Sequence, residues 1–232
     1  MIFETEVKEI IQRTYDVKSF RFPRPSSLDY EAGQFLFVTI KWKKERLKKH
    51  FTISSSPTEK GHIEFTKKLT GSRFSDTLNR MEVGDWAKIE APYGNFTFKG
   101  QYGKIGLLSG GIGITPLRSI CKFCTDKGLD TDIVLLYGNV SESDIVFRNE
   151  LKEMQNQNEK LKVIFTLEKA EENWSGYTGF INIDMIEKEI PDYSERIFYI
   201  SGPIIMVKAM EKILLNLKVP ESQIKKDFFP GY

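Results

Sequence analysis

The chain has 232 residues, of which 40% are hydrophobic, and 34 lysines and arginines nearly balance 32 aspartates and glutamates to leave a formal charge of +2. This length can bury the core of one large domain or of two small ones. The near-neutral charge gives no indication of a nucleic-acid-binding or membrane-binding protein. We therefore expect neither nucleic acid nor a membrane as a partner.

The longest apolar stretch, residues 105–114, is interrupted by Ser109 and by glycines. A helix that spans a bilayer needs roughly 18 or more consecutive apolar residues, so we expect no transmembrane helix. Residues 1–17 mix Glu4, Glu6 and other charged residues with isolated apolar ones, which is not the layout of a signal peptide. A cytoplasmic protein is expected.

The only cysteines in the sequence are Cys121 and Cys124. A ferredoxin-type iron–sulfur cluster takes about four thiolate ligands, so this chain alone cannot supply them. Three apart on a predicted helix, the two cysteines could form a redox pair, but small buried thiols are the commoner outcome.

Residues 4–98 contain short runs rich in Phe, Val, Ile and Thr that are separated by Gly, Pro, Ser and Asp. Runs of this kind have the length and composition of strands. The clearest predicted strands are residues 34–42, 51–54, 62–69 and 86–91. Closely spaced strands favour an antiparallel barrel or sandwich.

After residue 100 the pattern changes to strands that alternate with helices. The predicted strands are residues 104–108, 132–137, 162–167 and 196–200. The predicted helices begin at Pro116, near residue 143 and near residue 204. This order is typical of a parallel sheet with crossover helices. The sequence therefore predicts two domains, an antiparallel β-barrel over residues 1–99 and an α/β parallel-sheet domain over residues 100–232.

A glycine-rich loop follows the first strand of the predicted parallel sheet and reads SGGIGITP. Gly110, Gly111 and Gly113 allow a sharp turn and close approach of a ligand to the backbone. Thr115 can cap the following helix, and Pro116 suits its first turn. Amide groups at such a helix N-terminus can bind a pyrophosphate.

The loop departs from the usual dinucleotide-binding pattern GxGxxG. Pro116 stands where the third glycine would be, and Asn139 rather than an acidic residue follows the second strand. Considered alone, the loop remains compatible with an ordinary two-glycine turn.

Together with the first half of the chain, this loop resembles the nicotinamide site of the ferredoxin–NADP reductase superfamily, whose usual form is GGxGxTP. Members of that family join an FAD-binding antiparallel barrel to a nucleotide-binding parallel sheet. The resemblance covers nearly the whole chain. It implies FAD and either NADH or NADPH as cofactors.

A second segment resembles the flavin motif of the family. This motif is Arg-x-Tyr followed by serine or threonine. The corresponding residues are Lys49, His50, Phe51 and Thr52, followed by Ile53 and Ser54. The resemblance implies that Phe51 packs on the isoalloxazine, that the Thr52 hydroxyl approaches N5, and that Lys49 holds the FAD pyrophosphate. Because lysine lacks the bidentate fork of arginine, FAD retention would be weaker or would recruit another basic residue. A plain strand beside a solvated basic turn is the alternative for this motif alone.

A third match resembles the second flavin-phosphate segment of the family. It comprises Gly71, Ser72, Arg73, Phe74 and Ser75. We expect close approach of a ligand at Gly71 and a short helix from Ser75 whose amides face phosphate. A turn before a surface helix is the alternative.

Two segments near the end of the chain resemble parts of the family's nicotinamide and flavin sites. Ser201, Gly202 and Pro203 look like the Cys-Gly-Pro segment at the nicotinamide pocket, with serine in place of the cysteine. The resemblance implies that Ser201 lies near the hydride path. Phe229 and Tyr232 belong to an aromatic C-terminus that in the family covers the second flavin face, although a packed chain end is the alternative.

The turn after the third parallel strand carries Glu168 and Lys169, where relatives specific for NADPH have a Ser-Arg pair. A carboxylate can accept hydrogen bonds from a ribose diol and repels a phosphate, so the turn favours NADH, with Lys169 offsetting part of the repulsion. The alternative is a solvated ion pair.

The resemblance predicts a reductase that takes hydride from NAD(P)H onto FAD and passes electrons to a separate acceptor such as ferredoxin, flavodoxin or an oxygenase. A non-catalytic flavin- and nucleotide-binding relay subunit of a larger complex is the alternative. A subunit like that of dihydroorotate dehydrogenase is disfavoured by the missing cysteine cluster. Residues 41–49 are strongly basic with one acid, so they form either a solvated loop or a docking surface for an acidic carrier.

Overall fold

The computed structural model describes residues 1–229, so the predicted site residue Tyr232 lies outside the described residues. The strands are β1 (Ile2–Glu6), β2 (Glu9–Thr14), β3 (Val17–Phe22), β4 (Phe35–Trp42), β5 (Glu45–Thr52), β6 (Ile63–Lys68), β7 (Trp86–Tyr93), β8 (Lys104–Gly110), β9 (Asp132–Asn139), β10 (Leu161–Leu167), β11 (Tyr177–Thr178), β12 (Ile197–Pro203) and β13 (Ile224–Phe229). The α-helices are α1 (Arg73–Asn79), α2 (Ile114–Lys127), α3 (Arg148–Gln157), α4 (Ile183–Glu189) and α5 (Ile204–Asn216).

The N-terminal strands form two antiparallel sheets, in the orders β1-β7-β4-β5 and β2-β3-β6. A bridge between Ile53 and Phe65 joins β6 to the residue that follows β5. Apolar side chains at alternate positions of β4 are buried between the sheets, as at Leu36, Val38 and Ile40. The predicted antiparallel architecture is confirmed.

The basic segment 41–49 is not a loop. It forms a hairpin in which β4 turns into β5 at Lys43, whose φ of 53° lies in the left-handed region. The Lys-rich composition did not indicate strand β5, because lysine and glutamate are depleted in strands. The segment is nevertheless a strand, because it pairs with β4 along its whole length.

The C-terminal half forms one parallel sheet in the order β11-β10-β9-β8-β12-β13. Strands β8, β9 and β12 are almost continuously buried, as expected when helices cover both faces of a parallel sheet. The predicted alternation of strands and helices is confirmed. Strand β13 was not predicted, because the mixed sequence IKKDFF has no clear period of two.

The two halves share a core. Val17, Ala32 and Phe98 of the N-terminal half are buried in the same apolar cluster as Leu107 and Leu117 of the C-terminal half. In addition, the Tyr199 hydroxyl donates to the Thr97 carbonyl at 2.8 Å. Within residues 1–229, no helix combines the length and the apolar character needed to cross a membrane.

Candidate active site

The glycine loop connects β8 to α2 through a single turn of 3-10 helix, Gly111–Gly113. Helix α2 begins at Ile114, two residues before Pro116. The prediction that Thr115 caps this helix is wrong. Thr115 is buried in the first turn, and its hydroxyl donates to the Ile112 carbonyl at 3.2 Å. Pro116 fits there because the first amides of a helix lack intrahelical partners.

The glycines of the loop are needed for its contact with the end of β12. A Cβ on Gly113 would lie 2.3 Å from the Ser201 carbonyl oxygen and 2.5 Å from the Gly202 Cα. A Cβ on Gly110 would lie 2.3 Å from the Met206 Sδ. The structure therefore brings the predicted loop and the predicted Ser201 to Pro203 segment into direct contact.

Gly111 is the residue of the loop that faces open space. Its φ is +52°, and no atom lies within 4 Å of a Cβ built on it. Its carbonyl accepts a hydrogen bond from the Tyr137 hydroxyl at 2.9 Å. A ligand can therefore approach the backbone at Gly111 closely, as the sequence predicts.

A cavity of about 690 Å³ lies at the carboxyl ends of the parallel strands, beside this loop. This volume is typical of cofactor sites, and the position is the one at which open α/β sheets bind ligands. Among the predicted residues, Gly110, Gly111, Glu168 and Pro203 line the cavity. Its apolar wall includes Phe180 and Ile205, which are 71% and 85% exposed.

Three buried polar side chains near this cavity lack hydrogen-bond partners within residues 1–229. They are Ser109, Ser201 and Asn139. Ser109 and Ser201 are paired in register between β8 and β12, and Asn139 lines the cavity. Buried polar groups of native proteins are nearly always hydrogen-bonded, so these groups have donors and acceptors to offer a ligand.

The predicted flavin motif lies at the end of β5. The Phe51 ring stacks on Phe65 with centroids 4.8 Å apart and also contacts Phe74, which belongs to the segment 71–75. Thr52 is almost buried. The structure therefore brings together the two segments that the sequence assigns to the flavin.

Ile53 and Ser54 are fully buried, and their amides bond to the Gln34 and Glu64 carbonyls. The Ser54 hydroxyl donates to the Glu64 carboxylate at 2.8 Å. Neither side chain is therefore available to a flavin. His50 is exposed and contacts the ring of Phe35.

Each half of the chain matches a known domain family. Residues 4–98 match the oxidoreductase FAD-binding domain, and residues 107–212 match the oxidoreductase NAD-binding domain. NADH-cytochrome b5 reductase 1 of Ajellomyces capsulatus is 30% identical over 227 residues, which are 93% of this chain and 73% of that protein. The chain belongs to the ferredoxin–NADP reductase superfamily.

Other similar proteins include reductase subunits and reductase domains. The glycine betaine monooxygenase reductase subunit of Pseudomonas aeruginosa is 31% identical over 213 residues, covering 89% of this chain. The chain spans only 58% of the length of that subunit. The cytochrome b5 reductase domain of Ulva prolifera nitrate reductase has 25% identity and a TM-score of 0.86, covering 98% of this chain and 97% of that domain.

The FAD-binding half of this superfamily member holds a pair of lysines that suits a pyrophosphate. Burial, together with the charge of Lys49, lowers the pKa of Lys67 to about 8. Lysine ammonium groups neutralise phosphate as point charges. Lys67 was missed by the sequence prediction, although Lys49 alone already indicated the need for a second basic residue. No local sequence signal could have found it, because its proximity to Lys49 depends on the antiparallel bridge between Ile53 and Phe65.

The second flavin-phosphate segment differs from its prediction in one respect. Helix α1 begins at Arg73 rather than at Ser75, and the Ser72 hydroxyl caps it by accepting from the Ser75 amide at 3.3 Å. The amides without intrahelical partners are therefore those of Arg73 and Phe74. Gly71 has open space at its Cβ position.

The cavity beside the glycine loop carries carboxylates from both halves of the chain. Asp16, Asp144 and Glu168 line it together with one cation, Lys68. Lys68 pairs with Asp16 at 3.1 Å. Burial acts to raise the pKa of Asp144, but hydrogen bonds from Ser141 and Tyr15 outweigh it and hold the pKa below its usual value. Lys169 is exposed and is not among the residues that line the cavity.

The C-terminal segment continues the sheet up to the last described residue. Phe229 is paired with Pro203 in the β12–β13 ladder and packs against the shared core cluster. Asp227 is paired with Ser201 in the same ladder, and burial raises its pKa to about 6. Asp227 also lines a second depression of about 420 Å³, together with Phe35 of β4.

Proposed function

We propose that this chain takes hydride from a nicotinamide cofactor onto FAD and passes the electrons to a separate acceptor. Strand β6 supports the proposal, because neighbouring residues of this strand face the two proposed cofactor sites. Successive side chains of a strand point to opposite faces. The charge of Lys67 interacts with that of Lys49 in the flavin motif, whereas Lys68 lines the cavity beside the glycine loop.

The residues of the chain bind and orient the two cofactors, and hydride transfer itself requires no general acid or base. FAD, when bound, supplies an acceptor of two electrons that can release them singly. We propose that Lys49 and Lys67 neutralise its pyrophosphate, that Phe51 packs on its ring system, and that Thr52 donates a hydrogen bond near N5.

On the nicotinamide side, we propose that the glycine loop binds the pyrophosphate through backbone amides. Ser201, with its unpaired hydroxyl, would lie against the nicotinamide ring. The apolar wall formed by Phe180 and Ile205 would exclude water from the cofactor. We propose that residues 1–99 bind FAD and that residues 100–232 bind the nicotinamide cofactor.

We propose NADH as the preferred donor. Glu168, Asp16 and Asp144 give the cavity more negative than positive charge, which disfavours the additional phosphate of NADPH. The names of the relatives include both an NADH-cytochrome b5 reductase and a monooxygenase reductase subunit. The acceptor proposed for this chain is accordingly a redox protein that takes electrons one at a time.

The basic segment 41–49 supports a role in the approach of such an acceptor. Lys41 and Arg46 lie 4.5 Å and 5.1 Å from the ring centroid of Trp86, so their charges are held at the surface of the hairpin. At a rise of about 3.4 Å per residue, Arg46 is roughly 20 Å along β5 from Thr52. We propose that the segment steers an acidic carrier, while electrons leave nearer to the flavin motif.

We propose that the protein lies in the cytoplasm, where its cysteines would stay reduced. Cys121 and Cys124 are both free and buried, and burial raises the pKa of both thiols. Buried thiols with raised pKa values are unreactive, which agrees with the expectation from the sequence. Cell fractionation tests the location.

Cofactor extraction and steady-state turnover test the proposed function. The flavin released from the purified protein is expected to be FAD, because a second phosphate-binding segment at residues 71–75 is superfluous for a mononucleotide. NADH is expected to support reduction of ferricyanide or cytochrome c. Recovery of FMN alone, or of FAD with no NADH- or NADPH-dependent turnover, would contradict the proposal.

A further inference from the structure

A buried arginine of α2 joins the two halves of the chain. Arg118 is only 3% exposed and follows the glycine loop by five residues. Within its own half, its Nε and Nη2 donate to Glu150 at 3.0 Å and 2.7 Å. Across the boundary, its Nη1 donates to the Ser54 carbonyl at 3.1 Å, and both terminal nitrogens bond to Glu59.

The carboxylates that surround Arg118 keep its guanidinium charged. Burial alone acts to lower the pKa of Arg118, but hydrogen bonds and charge from Glu59, together with the charges of Glu150 and Glu64, raise it above its usual value. The planar fork of arginine can serve two carboxylates and a carbonyl at once. A lysine ammonium cannot reproduce this set of directions.

A second arginine reaches across the boundary in the opposite direction. Arg13 of β2 bonds to Glu150 at 2.5 Å and to Glu64 at 3.1 Å. The guanidinium carbons of Arg13 and Arg118 lie 4.7 Å and 5.6 Å from the ring centroid of Phe147. The contact between α2 and the residues after β5 is therefore part of a buried, bidirectional network.

We propose that Arg118 is a positioning residue for hydride transfer, because it fixes the helix that follows the nicotinamide loop against the end of the flavin motif. Ser54 lies two residues after Thr52, and Gly113 directly precedes α2. A change at Arg118 therefore moves the two cofactor-binding segments relative to each other. This inference rests on the proposed function.

The chain offers a matched control in Arg196. It is 4% exposed, pairs with Asp192 at 2.6 Å and Asp132 at 2.7 Å, and donates to the Ile105 carbonyl at 3.1 Å. All of these partners lie in the C-terminal half. Arg196→Lys therefore removes the same kind of guanidinium hydrogen bonds and ion pairs without changing the contact between the halves.

Anaerobic stopped-flow reduction of the FAD-loaded protein by NADH separates a positioning role from a structural one. Arg118→Lys is expected to lower the limiting rate of flavin reduction about tenfold or more, since a displacement of ~1 Å can cost ~100-fold. The dissociation constant for NADH should change by less than about twofold. Glu59→Gln, which weakens the same contact from the other half, should also slow reduction.

Arg196→Lys should leave the limiting rate within about twofold of the wild type, even if its thermal midpoint falls as far as that of Arg118→Lys. Hydrogen exchange provides a readout without turnover: Arg118→Lys should increase exchange in residues 53–59 and 114–118 together, and Arg196→Lys should not. Unchanged limiting rates in Arg118→Lys and Glu59→Gln, or equal slowing in Arg196→Lys, would overturn the inference. A wild-type protein that NADH and NADPH fail to reduce would instead refute the proposed function, and hydrogen exchange would then still decide whether Arg118 couples the two segments.

Discussion

Substitution of Gly113 by alanine tests the contact between the glycine loop and the end of β12. The added Cβ would lie 2.3 Å from the Ser201 carbonyl oxygen, whereas ordinary contacts begin at 3.4 Å, so the two backbones must separate by about 1 Å. Neither backbone has room to move there, because Ser201 lies within the buried strand β12 and Gly113 leads into the largely buried helix α2. Overpacking of this kind costs roughly 1–3 kcal/mol, which lowers the thermal midpoint of a protein of this size by roughly 2–12 °C.

The effect on hydride transfer should exceed the effect on stability. A displacement of ~1 Å at a reacting centre can cost ~100-fold in rate, so we expect the limiting rate of flavin reduction by NADH to fall by about that factor. FAD binding should be retained, because the flavin motif and its lysine pair lie on β5 and β6. Stopped-flow reduction and a fluorescence titration of FAD measure the two quantities.

Gly110→Ala is the matched control for this substitution. Its Cβ would also lie 2.3 Å from a neighbour, but that neighbour is the Met206 Sδ, which can move with its flexible side chain. We expect less than a tenfold loss of rate. If Gly113→Ala is no slower than Gly110→Ala, the glycine loop and β12 are not held at the distance that the structure shows.

Three further substitutions probe the flavin motif, the donor preference and a titrating carboxyl. Thr52→Ala should slow flavin reduction more than it weakens FAD binding, and Lys49→Ala should do the reverse, so indistinguishable profiles would refute the assigned roles. Glu168→Ser should shift the ratio of kcat/KM for NADH and NADPH toward NADPH by up to about tenfold, which corresponds to ~1.4 kcal/mol, and no shift would show that this turn does not select the donor. Because burial raises the pKa of Asp227 to about 6, the folded protein holds this proton more tightly than the unfolded chain, and the free energy of unfolding falls as the pH rises from about 4 to about 6. Asp227→Asn should therefore raise the thermal midpoint by roughly 5 °C at pH 7 and leave it unchanged at pH 4, whereas an equal change at both values would contradict the assigned pKa.

The fold was predictable because each half carries its own periodicity. The runs at residues 34–42 and 162–167 differ by at most one residue at either end from the observed Phe35–Trp42 and Leu161–Leu167. Helix starts were less predictable. Thr115 and Pro116 look like a cap and a first turn, but Gly113 and Ile114 already have helical backbone angles.

The site was predictable where glycines and short motifs carry it, and less so where distant segments meet. Nothing next to Lys67 in sequence indicates that it lies beside Lys49, because that proximity depends on the antiparallel bridge between Ile53 and Phe65. Arg118 was missed for the same reason. Its partners are 32 and 59 residues away along the chain. Sequence periodicity reports burial and not the partners of buried charges.

An anaerobic titration of the purified, FAD-loaded protein with NADH tests the central claim most directly. We expect the flavin absorbance near 450 nm, roughly the usual wavelength of an oxidised flavin, to be bleached by about one equivalent of NADH and to return when a one-electron acceptor is added. A bound flavin whose spectrum neither NADH nor NADPH changes would contradict the claim that the two cofactor sites meet for hydride transfer.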